Sequence, residues 1–66
     1  MFKERLVRLL EERKLNQRQL GLQAGIPPTT ISGWMNAGRL PDYIALEKLI
    51  HFFKVSADYF FGLEEA

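Results

Sequence analysis

The 66-residue sequence has no cysteine and only one histidine, His51. Without cysteine, neither a disulfide bond nor a thiolate metal site can stabilise the fold, and one histidine cannot form a site with several histidine ligands. We therefore expect no metal and no cofactor. Stability must come from apolar packing, for which the hydrophobic residues, 47% of the chain, supply the material.

The sequence also lacks long apolar runs and catalytic groupings. No stretch approaches the roughly 18 uninterrupted apolar residues that a membrane span needs, and no charged-then-apolar leader is visible. No nucleophile is paired with a base, there is no phosphate-binding loop or carboxylate pair, and His51 is interpreted as a surface residue. The expectation is a soluble, cytoplasmic protein that is not an enzyme.

Net charge is low, at +1, but it is unevenly distributed. Residues 1–39 carry seven basic and three acidic side chains, whereas residues 40–66, which include Glu64 and Glu65, carry two basic and five acidic ones. A basic half of this kind is suited to face the phosphates of a nucleic acid. Ordinary solvated helix faces are the other interpretation, and charge alone leaves both open.

Glycine and proline divide the chain into short segments whose apolar spacing is helical. The pattern predicts five helices, over about residues 2–13, 17–24, 28–35, 43–53 and 57–61. Asn16, Asp42 and Ser56 are suited to cap the second, fourth and fifth helices, and Gly25 is suited to end the second. Residues 1–66 should therefore form one all-α domain, a compact five-helix bundle.

Side-chain spacing within these helices predicts particular contacts. Glu4 and Arg8 are spaced for an ion pair on the first helix. Phe60 and Phe61 are expected to close the core at the end of the fold. The expected buried stripe of the fourth helix consists of Tyr43, Leu46, Leu49, Ile50 and Phe53.

The second and third predicted helices have the layout of a helix-turn-helix, because a short turn that contains Gly25 joins them. The third helix combines an apolar back, Ile31 and Trp34, with a small polar front. A helix that enters a DNA major groove about 12 Å wide needs such a front, since short side chains permit close approach. The segment from about residue 16 to residue 35 is therefore the candidate DNA-binding unit.

A set of residues with characteristic spacing extends over nearly the whole chain: Leu15-Asn16-Gln17, Leu20, Gly25-Ile26, Thr30-Ile31-Ser32, Trp34, Pro41, Val55-Ser56 and Asp58. In this pattern the chain resembles the lambda-repressor-like, Cro-type helix-turn-helix family of xenobiotic-response-element-type transcriptional regulators. The resemblance covers about residues 5–62 and needs no gap. It implies a five-helix fold that binds double-stranded operator DNA, as a transcriptional regulator of the phage or mobile-element repressor type.

The resemblance also implies which residues contact DNA. The groove-facing, base-reading positions of the third helix are Pro28, Thr29, Ser32 and Gly33. The phosphate-binding positions are Asn16, Gln17, Arg18, Thr30, Asn36 and Arg39, the last two in the loop after the third helix. Asn16 is equally suited to be only a helix cap, and Thr30 to cap locally. Arg39 could contact a phosphate or a narrow minor groove, or it could be only a solvated charge in the loop.

Three departures from the family pattern affect this interpretation. Pro27 stands where a capping serine or threonine is usual, and the usual glycine after the third helix comes one place late, at Gly38. Leu10 and Met35 replace an internal arginine–glutamate pair, an exchange that costs a fold little. The reading positions hold no Gln, Asn or Arg, so sequence preference should depend on DNA shape and Arg39.

The last segment is rich in aromatic residues and suggests an interface. Phe52, Tyr59 and Leu63 have no evident partner within the chain, which predicts a homodimer through the fifth helix. A monomer with inward-packed aromatics and an excised N-terminal domain of a longer repressor are the alternatives. A further one keeps the fold but makes it an antitoxin or other protein-binding module that uses the fourth and fifth helices.

Overall fold

Each of the five amphipathic segments that the sequence predicts folds as a helix. The computed structural model describes residues 1–63, so that Glu64 and Glu65 of the acidic half lie outside the described residues. The helices are α1 (Phe2–Arg13), α2 (Gln17–Ala24), α3 (Pro28–Asn36), α4 (Tyr43–Phe53) and α5 (Ala57–Phe60). The all-α fold class is confirmed, and the predicted bounds agree to within one residue.

Side-chain caps account for where two of the later helices begin. Asp42 accepts a hydrogen bond from the backbone N–H of Ala45 at 2.8 Å, and Ser56 accepts one from Tyr59 at 3.2 Å. The ends of α1 and α4 are lysines in the left-handed conformation, Lys14 with φ 56° and Lys54 with φ 58°. Both reverse the chain into the next segment, as a residue at a helix C-terminus can.

One apolar cluster lies between the helices. Its buried members are Phe2, Leu6, Leu9, Leu10, Leu20, Ile26, Ile31, Trp34, Met35, Ala45, Leu49, Phe53, Tyr59 and Phe60. The Phe2 ring lies between those of Trp34 and Phe60, with both centroid distances 5.4 Å. Such edge and tilted ring contacts add to the burial free energy. The first helix is therefore packed against both α3 and α5.

Two predicted core positions are wrong. Tyr43 is 78% exposed, because the inward face of α4 is set by Ala45, Leu49 and Phe53, four residues apart, and this register turns Tyr43 outward. Phe61 is 44% exposed, since α5 ends at Phe60 and the chain turns away at Gly62, which has φ 74°. Phe60, together with Tyr59, closes the core at this end.

The predicted ion pair between Glu4 and Arg8 does not form, and each residue pairs with a different group. The N-terminal ammonium lies 2.9 Å from Glu4 and donates a hydrogen bond to its carboxylate, which lowers the pKa of that carboxyl, and Arg8 lies 3.5 Å from Glu12. All four groups are exposed, so these pairs contribute little to the stability of the fold. None of the helices within residues 1–63 is long and apolar enough to cross a membrane.

Candidate nucleic-acid interface

The turn between α2 and α3 is held by one carbonyl group. The backbone N–H groups of Gly25 and Ile26 both donate to the Gly21 oxygen at 3.0 Å, and Gly25 takes the left-handed conformation with φ 73°. Lys48 of α4 donates to the Gly25 carbonyl at 2.8 Å. The turn is therefore fixed to α2 and to α4, and it sets the angle at which α3 leaves.

Gly21 makes this closure possible. A Cβ atom on Gly21 would lie 2.8 Å from the Ile26 carbonyl oxygen, which is closer than real Cβ atoms approach a backbone oxygen. It would also lie 3.3 Å from Ile31 Cδ1, which is a tight contact. Sequence reasoning missed this residue. The signal was present, since a glycine inside a predicted helix indicates close approach of another segment.

The N-terminus of α2 has a complete capping box. The Asn16 side-chain oxygen accepts from the Gln19 N–H at 2.8 Å, and the Gln19 side chain accepts from the Asn16 N–H at 2.9 Å. The capping interpretation of Asn16 is confirmed. Gln19 was not predicted, although its position three residues after an Asn cap is the capping-box spacing.

The same helix end leaves hydrogen-bond donors available. Gln17, the first residue of α2, and Arg18 are both exposed, and their backbone N–H groups have no acceptor within residues 1–63. Unpaired N–H groups at a helix N-terminus, where the dipole is positive, favour an anion. Gln17 and Arg18 therefore present side-chain and backbone donors on one exposed surface.

Helix α3 divides into a buried back and an exposed polar front. Ile31, Trp34 and Met35 are only 1%, 2% and 6% exposed. On the other side Pro28, Thr29 and Ser32 are exposed, at the positions predicted to read bases. Because the back carries all the apolar contact, no large side chain of α3 obstructs the front.

Asn36 belongs to that front. It is the last residue of α3, so the expectation that it lies in the following loop is wrong. Its side-chain N–H donates to the Ser32 hydroxyl oxygen at 3.1 Å, one helical turn earlier. Since this bond uses the oxygen of Ser32 as acceptor, the hydroxyl hydrogen of Ser32 remains able to donate outward.

Arg39 lies across the front of α3. Its backbone N–H donates to the Gly33 carbonyl at 3.1 Å, and a Cβ on Gly33 would lie 3.2 Å from Arg39 Cδ. Gly33 is half-buried for this reason, whereas Arg39 is exposed and has no carboxylate within 4.0 Å in the described part of the chain. The loop that carries Arg39 turns at Gly38, with φ 67°, while Ala37 keeps a negative φ. The late glycine of the sequence is therefore the residue that reverses the chain.

Thr30 is placed differently from its neighbours. It is half-buried, and its backbone N–H donates to the Pro27 carbonyl at 3.1 Å. It lines a hollow with Pro27 and Ile44 at the start of α4 and a second one with Thr29, Gly33 and Arg39, so it lies at the edge of the front. Pro27 caps α3 without a side-chain hydrogen bond, as its identity predicts.

Several basic side chains of residues 1–39 contact other helices and do not lie at the α2–α3 surface. Arg13 donates to the Phe53 carbonyl at 2.8 Å and lies over the ring of Phe53, and Arg5 lies 4.9 Å from the centroid of the Tyr59 ring. Two of the three arginines of α1 thus contact α4 and α5. The charge at the α2–α3 surface comes instead from Arg18 and Arg39.

The residues predicted to form a dimer interface do not form one surface. Tyr59 is only 3% exposed, because it packs against Phe60 and Arg5, so the expectation that it lacks a partner within the chain is wrong. Its hydroxyl has no hydrogen-bond partner within residues 1–63. Phe52 is half-buried against Phe53, and Leu63 is 76% exposed.

An exposed apolar surface that sequence reasoning missed lies on α4. Tyr43 and Ile44 are 78% and 64% exposed, and Tyr43 lines a shallow hollow with Leu46, Ile50 and Ala57 of α5. Glu47 and His51 lie along the same hollow. Tyr43 is exposed, whereas Leu46, Ile50 and Ala57 are half-buried, and we call these four residues the α4 patch.

Comparison with known families agrees with this geometry. A family model described as helix-turn-helix matches residues 6–60, which include all five helices except the first residues of α1. No curated protein and no solved structure is significantly similar to the chain. Because the match spans most of the sequence and coincides with the capped α2, the turn at Gly25 and the amphipathic α3, the chain belongs to the helix-turn-helix family of the lambda-repressor and Cro type, whose members are DNA-binding transcription regulators.

Proposed function

We propose that the protein is a transcriptional repressor of the phage or mobile-element type, which acts in the cytoplasm and inserts the front of α3 into the major groove of an operator. The observation that carries the proposal is the division of α3. Its back is buried through Ile31 and Trp34, while its front exposes Pro28, Thr29, Ser32 and Asn36, none of them a long side chain, beside unpaired N–H donors of α2. A groove-reading helix needs this combination of close approach and adjacent phosphate contacts.

The phosphate contacts would come mainly from α2. The N–H groups of Gln17 and Arg18, together with their side chains, can hold one phosphate at the helix N-terminus. Asn16 contributes chiefly by fixing that end through its capping box, and its side-chain NH₂ group is the part suited to reach a phosphate. Thr30 and Asn36 are candidates for phosphate contacts at the two ends of α3.

The base contacts would come from the exposed front. Thr29 offers a hydroxyl and a methyl group, which suit a base edge and a thymine methyl respectively. Ser32 offers a donor, because Asn36 occupies its acceptor oxygen. Pro28 adds no polar group and serves close approach to the groove, whereas Gly33 is covered by the side chain of Arg39.

We further propose that the protein binds as a homodimer through the α4 patch. Antiparallel pairing of two α4 helices would bring the Asp42 end of each helix to the Lys54 end of its partner, which is favourable for these two charges and for the helix dipoles. A two-fold dimer would place two α3 helices about 34 Å apart, to match a pseudo-palindromic site.

The test is enrichment of bound duplexes from a random library, followed by titration of the enriched duplex over a salt series. We expect a palindromic motif and a logarithm of affinity that falls linearly with the logarithm of salt concentration, by about 0.9 per phosphate contact. Replacing Gln17 and Arg18 together with alanine should weaken binding to every duplex and reduce the slope. Lys3→Ala removes an exposed cation of α1 and serves as the matched control. No motif, with weak binding that is insensitive to salt, would contradict DNA binding.

A protein-binding module, such as an antitoxin, is the second candidate, because the α4 patch exposes apolar side chains irrespective of DNA. Sedimentation equilibrium separates the two uses of the patch. A homodimer predicts self-association that Tyr43→Ser weakens, with Leu22→Ser, an exposed apolar residue of α2, as control. A chain that stays monomeric at all concentrations, free and on the enriched duplex, would assign the patch to a different protein.

A further inference from the structure

We infer that Arg39 reads a base edge in the major groove, in place of the side chain that α3 lacks at Gly33. The inference rests on the proposed DNA-binding function and names a specificity-determining residue for it. The observation behind it is the contact of the Arg39 side chain with the front of α3, together with the absence of any long side chain at the exposed reading positions of that helix.

The position of Gly33 determines where Arg39 goes. On a helix, residue 33 shares a face with Thr29, four residues earlier, and with Asn36, three residues later. A Cβ on Gly33 would lie 3.2 Å from Cδ of Arg39 and 3.9 Å from both its Cβ and its Cγ. The methylene groups of Arg39 therefore occupy the space that a side chain at residue 33 would fill.

The backbone holds Arg39 in that place. The N–H groups of Ala37 and Arg39 both donate to the Gly33 carbonyl at 3.1 Å, and Gly38 makes the turn between them. The Cα atom of Arg39 is thus fixed relative to α3, and only the end of its side chain remains to be ordered. A side chain that is already positioned loses less entropy when it makes a contact.

The chemistry of the free end indicates its target. The guanidinium has no carboxylate within 4.0 Å among residues 1–63, so its donors are not engaged in an ion pair of the described chain. Its planar fork matches the O6 and N7 acceptors of guanine in the major groove. The small neighbours Thr29 and Ser32 leave room for a base edge there. A guanine in each half-site is the expected partner.

A phosphate contact is the competing role for Arg39, and base-pair substitutions distinguish the two. Binding would be titrated by fluorescence anisotropy on the enriched duplex and on duplexes with each half-site base pair changed in turn. For Arg39→Ala we expect discrimination to fall about 5- to 150-fold at one guanine–cytosine pair, the range for a bidentate contact, and to stay unchanged elsewhere. Arg39→Lys keeps the charge but not the fork, and should lose much of the same discrimination.

Gly33→Ala tests the route that the side chain takes. The added methyl group would lie 3.2 Å from Arg39 Cδ and so shift this side chain by a few tenths of an ångström, and discrimination at that same base pair should fall while the domain stays folded. Lys3→Ala should leave every duplex unaffected. If Gly33→Ala leaves discrimination as in the wild-type protein while Arg39→Ala abolishes it, the proposed path over Gly33 is overturned.

The inference fails separately from the proposed function. Uniform weakening of all duplexes by Arg39→Ala, with a salt slope reduced by about one, would make Arg39 a phosphate contact and overturn base reading, yet operator binding would stand. Absence of any enriched motif with the wild-type protein would remove the DNA-binding proposal itself, and this inference with it.

Discussion

The two helices of the helix-turn-helix are held in place by different means. Helix α2 begins in the capping box of Asn16 and Gln19 and ends at Gly25 in the left-handed conformation. Helix α3 begins at Pro27 without a side-chain cap, and Ala37 at its end has φ −121°. Local backbone signals thus fix α2, whereas α3 has few of them.

The two helices differ in the opposite sense in their buried side chains, because α3 buries more than α2 does. Helix α3 buries Ile31, Trp34 and Met35, whereas α2 buries only Leu20 and Gly21, and Leu22 of α2 is 76% exposed. Helix α3 is therefore held from behind by tertiary packing. Helix α2 is held at both ends, and its N-terminal end presents unpaired backbone N–H groups.

The largest expected effect is on the packing that holds α3. Trp34→Ala removes a side chain that is 2% exposed and in edge contact with Phe2, and should lower the free energy of unfolding by about 3–5 kcal/mol. A loss of this size approaches the whole stability of many small domains, so far-UV circular dichroism in a urea series should show a largely unfolded chain. Trp34→Phe should lie between the variant and the wild-type protein.

The matched control lies on α2. Leu22→Ala also shortens an apolar side chain, but one that is 76% exposed, and should change the free energy of unfolding by no more than about 0.5 kcal/mol. Equal losses at Trp34 and Leu22 would mean that α2 depends on tertiary packing as α3 does, and the contrast between the helices would be lost.

The bounds of both helices were predictable from the sequence, those of α2 from its caps and those of α3 chiefly from Pro28 and its apolar period. Asn16, Gly25 and Pro28 each act within a few residues of their own position, and the apolar period of α3 selects Ile31 and Trp34 without reference to the rest of the chain. The division of α3 into a back and a front could therefore be derived from the sequence.

What could not be predicted depends on contacts between distant segments. Helix α4 is apolar at eight of its eleven positions, so its period does not select the inward face, and Tyr43 was placed on the wrong side. Tyr59 lies against Arg5, more than fifty residues away along the chain. The contact of Arg39 with Gly33 requires the loop conformation at Gly38, which no side-chain pattern specifies.

The next prediction compares the glycines in the middle of the two helices. Gly21→Ala should lower the free energy of unfolding by about 1–3 kcal/mol, because the new methyl group would lie 2.8 Å from the Ile26 carbonyl oxygen, a backbone atom. Gly33→Ala meets only the flexible Arg39 side chain and should raise it by about 0.5–1 kcal/mol, as alanine favours a helix. Urea unfolding followed by Trp34 fluorescence measures both. A stabilising Gly21→Ala would show that the turn closes less tightly on α2 than the Gly25 and Ile26 hydrogen bonds indicate.

A smaller loss of stability is expected when the N-terminal cap of α2 is removed. Asn16→Ala removes the acceptor for the Gln19 N–H, and should lower the free energy of unfolding by about 1 kcal/mol. Asn16→Ser keeps an acceptor at the cap and should restore most of the loss. Affinity for the enriched duplex should fall with Asn16→Ala as well, since the α2 terminus that presents Gln17 frays. Unchanged stability would mean that packing through Leu20 holds α2 without its cap.

The smallest expected effect on stability comes from giving α3 the N-terminal side-chain cap that it lacks. Pro27→Ser introduces a capping hydroxyl but also removes the proline ring, which raises the entropy of the unfolded chain. Comparison with Pro27→Ala cancels the ring, because both variants lose it, and isolates the cap. Serine should be more stable than alanine by about 0.5 kcal/mol, at the low end for a cap because the Thr30 N–H already donates to the residue 27 carbonyl at 3.1 Å. Paired urea titrations of the two variants would resolve this difference, and a serine variant no more stable than the alanine one would mean that burial of Ile31 and Trp34 alone determines where α3 begins.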